Sequence, residues 1–146
     1  MKLNPDCIRD IMLVLEEKLS VCDSPKGYYF QSSSVPGIIS CVHEKGYSKE
    51  EVAYTVLQLA ESGYIVTSSR DLCNITHHTF NPGSILYITP KGHEFIAKIR
   101  DTERWRKVKS GVSIIRDYSL SAIASIAEGI TSAAISAFFS GQKNLQ

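Results

Sequence analysis

Several things are scarce in this chain of 146 residues. Its four cysteines, Cys7, Cys22, Cys41 and Cys73, are scattered and form no C-x-x-C pair. That spacing argues against a disulfide framework and against a closed zinc site built from two close ligand pairs. The first residues, Met1-Lys-Leu-Asn-Pro5, contain no apolar stretch of the kind a secretory signal carries. Reduced thiols in a cytosol are the expectation, with the cysteines serving as small packing residues. No phosphate-binding glycine loop, dinucleotide fingerprint, nucleophile elbow or H-E-x-x-H is present, so neither an enzyme nor a cofactor is expected. The formal net charge is only +1, too little for a general nucleic-acid coat.

Two local groupings deserve a chemical test. Cys73-x-x-x-His77-His78 offers too few ligands for a closed metal site, since Cys41 and His43 fall on another element. Solvated histidines, and no metal, are therefore expected. His93 follows Thr89-Pro-Lys-Gly92 at a helix start, but the sequence places no nucleophile or carboxylate within its reach. A packed or hydrogen-bonded histidine is the simpler expectation, with no catalytic residue assigned.

What is present reads as a helical domain. Asn4, Pro5 and Asp6 form a helix start, and Ile8, Ile11, Met12, Leu15 and Leu19 repeat on one face, predicting a helix over 5–19. Residues 23–26 break structure, and Gly27–Phe30 reads as a short strand. Ile38, Ile39 and Val42 fit a short helix within 35–44. Ser48 and Glu51 form a capping box for a helix over 49–62 that ends at Gly63. Tyr64–Val66 is a strand, 67–83 a polar loop with the turn Asn81-Pro-Gly83, and Ser84–Thr89 a returning strand leading into a further helix. Helix, strand, helix, helix, strand, wing, strand, helix is the winged-helix order. The predicted class is mainly α with a small antiparallel β wing (α+β). It comprises a winged helix-turn-helix domain over 1–109, followed by a long C-terminal self-association helix and short tail over 110–146.

Met1-Lys-Leu-Asn-Pro-Asp-Cys-Ile-Arg-Asp10, Tyr47-Ser-Lys-Glu-Glu51, Thr89-Pro-Lys-Gly-His-Glu-Phe95 and Ile99-Arg-Asp101 with Trp105 resemble one family. It consists of small phage- and prophage-encoded proteins catalogued only as a domain of unknown function. The resemblance covers roughly the first three quarters of the chain. It implies a winged-helix fold and a mobile-element origin, and it carries over no binding or catalytic residue.

Three surfaces are candidates for binding. In a DNA-binding winged helix the helix over 49–62 would enter the groove. Tyr54, Thr55 and Gln58 would then face the bases, with Lys49 on a phosphate and Arg70 in the wing. Glu50, Glu51 and Glu61 oppose that use, because a polyanion needs positive charge there. Positive charge collects later. Residues 1–88 carry seven basic and ten acidic groups, whereas 89–117 carry eight and four. Lys98, Arg100, Arg104, Arg106, Lys107 and Lys109 surround Trp105 and form a candidate patch for an anionic partner. Trp105, Val108, Val112 and Ile115 are spaced as one apolar seam.

The third surface is the tail. Between Asp117 and Lys143 the only charged residue is Glu128. Leu120, Ile123, Ala127, Ile130, Ala134 and Ala137 keep a 3-4 spacing. Gly129, Ala133 and Ala137 belong to a ridge of small residues, and Phe138 adds bulk. A homo-oligomer through this helix is the leading expectation. The helix is also about long enough for a bilayer, but Glu128 and its many hydroxyls make spanning costly, so a membrane surface ranks lower. Packing of part of the helix on its own domain is the plain structural alternative. The chain is expected to be a non-enzymatic accessory factor that binds a host or phage protein and modulates defence or gene expression. Duplex DNA is the alternative, through a winged-helix regulator, followed by a membrane-associated effector.

Overall fold

A computed structural model describes residues 1–69 and 71–143. Helix α1 (Pro5–Lys18) begins as its sequence demands: Asn4 accepts a hydrogen bond from the Asp6 amide at 3.0 Å, and Pro5 fills the first turn. Its buried face is Cys7, Ile8, Ile11, Met12 and Leu15. Burial pushes the Cys7 thiol up to about 11, because a thiolate there would lose its hydration.

The chain then makes a hairpin that the sequence concealed. Strands β1 (Ser20–Ser24) and β2 (Gly27–Gln31) pair antiparallel, with Val21 opposite Phe30 and Cys22 opposite Tyr29. The segment that reads as a break, Asp23–Lys26, is the end of β1 and the turn. Gly27 closes it at φ +118°, a conformation open to glycine.

Strand β3 (Ser33–Ser34) leads into α2 (Val35–His43), capped by Ser34, and Ser48 caps α3 (Lys49–Glu61) by accepting from the Glu51 amide. Between these helices Tyr47 donates to Asp10 at 2.7 Å, tying the connection to α1. Burial and that carboxylate push the Tyr47 phenol well above its ordinary range. After Gly63, β4 (Ile65–Thr67) and β7 (Ser84–Ile88) pair antiparallel, and β3 adds on the far side, giving the order β3-β7-β4. The long polar loop between β4 and β7 holds its own small hairpin, β5 (Cys73–Asn74) with β6 (Thr79–Phe80). The series from α1 to β7 thus follows the expected order, with the β1–β2 hairpin added.

The next helix does not run through. Helix α4 (Pro90–Ile99) ends at Arg100, and Asp101 starts α5 (Thr102–Ile115) by accepting from the Arg104 amide at 2.8 Å. Gly92 sits so tightly under the β4 entry that a Cβ there would stand 2.2 Å from the Tyr64 carbonyl oxygen. Arg116, in the left-handed region at φ +61°, stops α5, and α6 (Leu120–Lys143) turns back along it.

The molecule is an α+β fold of helices with small antiparallel sheets and a long C-terminal helix. One core gathers residues from α1 through Val108, Val112, Leu120, Ile123 and Ala127. The division expected between 109 and 110 therefore falls inside α5, and the core continues across it. The apolar seam of α5 is also shorter than its spacing implied. Trp105, Val108 and Val112 are buried, but Ile115 is 61% exposed, because the chain leaves the helix at Arg116.

Candidate interaction surfaces

The outward face of α3 differs from the one a groove-reading helix presents. Thr55 is only 1% exposed, and its hydroxyl donates to the Glu51 carbonyl at 2.8 Å. It faces the interior beside Cys7 and cannot meet a base edge, which corrects the expectation for this residue. Lys49, Glu50 and Glu61 are exposed, while Tyr54 and Gln58 are half-buried. Tyr54 and Gln58 share a shallow hollow with Lys2, Leu3, Arg116 and Tyr118. The N-terminal segment and the α5–α6 corner thus flank the helix. Arg70 lies outside the described residues.

Along the loop between β4 and β7, Ile75, His77, His78 and Phe80 are exposed. Among the described residues no three histidine, cysteine or carboxylate side chains gather as a metal requires. His93 is exposed at the start of α4 rather than packed.

The basic run proves to be spoken for. Lys98 pairs with Glu128, Arg100 with Glu16 at 2.5 Å, and Lys109 with Asp6 at 3.2 Å. Arg104 and Arg106 pair within their own helix turn, with Asp101 at 3.9 Å and Glu103 at 3.3 Å. Of the six expected groups only Lys107 has no ion pair among the described residues. Each exposed pair contributes little to stability, but together the five carboxylates offset most of the run's positive charge. Trp105 adds to this seam by donating its indole N–H to Asp6 at 2.9 Å. Arg9 donates to the carbonyls of Ile99 and Arg100, both at 2.8 Å, satisfying groups that the end of α4 leaves open. Within the expected anionic-partner patch, Lys98, Arg100 and Lys109 thus tie α4 and α5 to α6 and α1.

Helix α6 divides in two. Leu120, Ile123 and Ala127 are buried, and Ala124, Ile126 and Ile130 are half-buried against the same core. Gly111 of α5 admits Ile126 closely; a Cβ there would lie 3.0 Å from its Cγ2. These first residues are spent on the chain's own fold and are not a free self-association face. Beyond Thr131 the side chains are exposed through Gly141: Ala133, Ala134 and Ala137 carry little bulk, but Ile135 is 52%, Phe138 61% and Phe139 56% exposed. Gly129 is exposed, with open space where a Cβ would sit.

A fourth surface escaped the sequence reading. On the β1–β2 hairpin Val21 is 60% and Tyr28 80% exposed, and Phe30 stacks on Tyr87 of β7 with ring centroids 5.1 Å apart. The available signal was the pairing potential of Val21-Cys22 with Tyr28-Tyr29-Phe30 across Pro25-Lys26, two apolar runs separated by a turn.

These elements define a small α+β domain with a long C-terminal helix. Within that class, the chain belongs to the family described as "Hypothetical protein (DUF2513)", which matches residues 2–116 and stops just short of α6. Neither a curated protein nor a solved structure matches it.

Proposed function

We propose that the chain is a non-enzymatic, self-associating binding module of winged-helix type, in which the open half of α6 joins copies of the protein. The observation that carries this reading is the exposure of Ile135, Phe138 and Phe139 on a helix end with no charged residue from Gly129 to Gly141. Large apolar side chains grouped on an uncharged helix end gain free energy by leaving water. Covering one such side chain contributes roughly 1.5–3 kcal/mol, and association costs on the order of 4–15 kcal/mol. Three side chains from each copy make the two comparable, so an assembly that dissociates on dilution is expected. The partner proposed beyond the chain itself is a protein of a host cell or phage. A phage or prophage source, implied by the resemblance alone, belongs to the same proposal.

The helix is long and apolar enough to cross a membrane by length and composition over Leu120–Gly141. Using that length would pull Leu120, Ile123 and Ala127 out of the core. The free part alone, at 1.5 Å per residue, spans about 18 Å, short of the ~30 Å hydrocarbon layer. Self-association keeps the core and covers the same surface.

Duplex DNA is the second reading, favoured by one observation: Lys2 and Arg116 border the hollow that contains Gln58. Against it, α3 itself exposes Glu50 and Glu61.

Sedimentation over a dilution series tests the main reading. We expect masses above the 16.2 kDa monomer that fall as the protein is diluted. A single 16.2 kDa species up to about 100 μM would remove it, since such an assembly has a dissociation constant in the micromolar range or below. Pelleting with liposomes would favour the membrane instead. A salt-sensitive shift of labelled duplex would favour DNA.

A further inference from the structure

Where α4 and α6 begin, a cleft of about 330 Å³ opens between their first turns and the end of α3. Lys91 stands in the first turn of α4, and Leu120 and Ser121 in the first turn of α6. A first turn carries unsatisfied N–H groups and the positive end of the helix dipole, so both helices favour an anion here. Lys91 is the cleft's charged side chain, and among the described residues no carboxylate borders it. Its ammonium donates to the Ser62 carbonyl at 3.0 Å and lies 4.8 Å from the centre of the Tyr64 ring. A carbonyl and an aromatic face fix its position and leave its charge without a counter-charge.

Tyr64 is a second, independent observation. It is 3% exposed and packs on Phe95 with ring centroids 5.0 Å apart. A phenol so deeply buried ordinarily finds a hydrogen-bond partner, yet among the described residues its hydroxyl has none. Nor is that hydroxyl sealed in the core, since Thr131 is where a fully enclosed, unpartnered side-chain oxygen occurs among the described residues. The outlet for the Tyr64 hydroxyl is the cleft its side chain lines. Ser62, Ser121 and Ser125 bring further hydroxyls to the same space.

We infer that this cleft binds a phosphate group, free or carried by a small uncharged molecule. A phosphate has three strong acceptor oxygens and close to a double charge, which makes fuller use of an ammonium and several hydroxyls than a carboxylate would. The body of a monoester would continue into an adjoining cleft of about 340 Å³, which shares Tyr64, Lys91, Ala124 and Ser125 with the first. There Lys98 and Glu128 pair with each other and Glu94 adds a carboxylate, which suits an uncharged body with hydroxyls and repels a second anion. Glu94 lies one turn beyond Lys91, so the phosphate sits toward the first turn of α6. The site uses neither the open half of α6 nor the hollow beside Gln58, and stands independently of self-association and of duplex DNA.

The test is a titration of the isotope-labelled full chain with inorganic phosphate, glycerol phosphate and glycerol, followed by NMR at fixed pH and ionic strength. Both phosphates should shift the amide signals of Lys91 and Ser121 saturably, and glycerol should not. Tighter binding of glycerol phosphate identifies a monoester as the occupant; equal binding identifies free phosphate. Lys91→Gln should weaken binding about tenfold or more, and Tyr64→Phe about threefold or more. Tyr64→Phe removes only the unpartnered hydroxyl, so its melting temperature should stay that of the native chain. Lys107→Gln, which removes a charge outside the cleft, should bind as the native chain does. The proposal is overturned if neither phosphate gives saturable shifts at Lys91 and Ser121 up to about 10 mM, or if glycerol alone gives them. Native affinity in both Lys91→Gln and Tyr64→Phe overturns it as well. So does equal weakening by Lys107→Gln and Lys91→Gln, which would mark a diffuse effect of charge.

Discussion

The two halves of α6 have nearly the same composition and opposite surroundings. From Leu120 to Ile130 the helix spends its apolar residues on α4 and α5, with Ile123 and Ala127 fully buried. From Ser132 to Gly141 the helix, without a charged residue, is exposed. An apolar repeat by itself therefore does not say whether a helix completes its own domain or reaches for something else. The end of the neighbouring elements decides it, since the family-matched body stops supplying surface where α6 continues. The two halves should answer differently to the same kind of change.

The largest effect is expected in the buried half. Ile123→Asp places a charge without a partner in the core and should destabilise the chain by about 3–5 kcal/mol, read from chemical denaturation. A loss under 1 kcal/mol would mean that this half is not fixed to the domain. An intermediate effect belongs to the junction, where Lys98 pairs with Glu128. Glu128→Gln should cost at most about 1 kcal/mol, and the difference should shrink in high salt. A loss that salt leaves unchanged would point to packing instead of charge. The smallest effect on folding belongs to the open half. At a dilution that keeps the protein monomeric, Phe138→Asp should move stability by no more than about 0.5 kcal/mol. A loss of several kcal/mol would show that Phe138 is part of the monomer's core.

The local signals in the sequence were good guides where both partners lie close together. Asn4, Ser48 and Asn81-Pro-Gly83 mark starts and turns because a cap or turn involves only a few neighbouring residues. The order of helices and strands from α1 to β7 was legible for the same reason. Long-range pairing was not. Arg100 with Glu16 and Lys109 with Asp6 join positions 84 and 103 residues apart, so their charges looked available when read along the chain. Thr55 misled in a different way. A hydroxyl that returns its proton to the carbonyl four residues back can sit on a buried face, and hydropathy alone puts threonine outside. The hairpin was missed because Pro25-Lys26 marks a break equally well whether the flanking runs pair or part. The exposed half of α6 could be seen as apolar, but where coverage ends depends on the length of α5 and the stop at Arg116.

The central claim is that the open half of α6 joins copies while the first half holds the fold. A cut at Ser110 would confuse the two by removing Val112, Leu120, Ile123 and Ala127 from the core. The direct measurement is the light-scattering mass of the full chain beside a chain ending at Ile130, at matched concentration and with circular dichroism on both. The account predicts an oligomer for the full chain and a folded monomer for the shortened one. Equal masses for the two would contradict it.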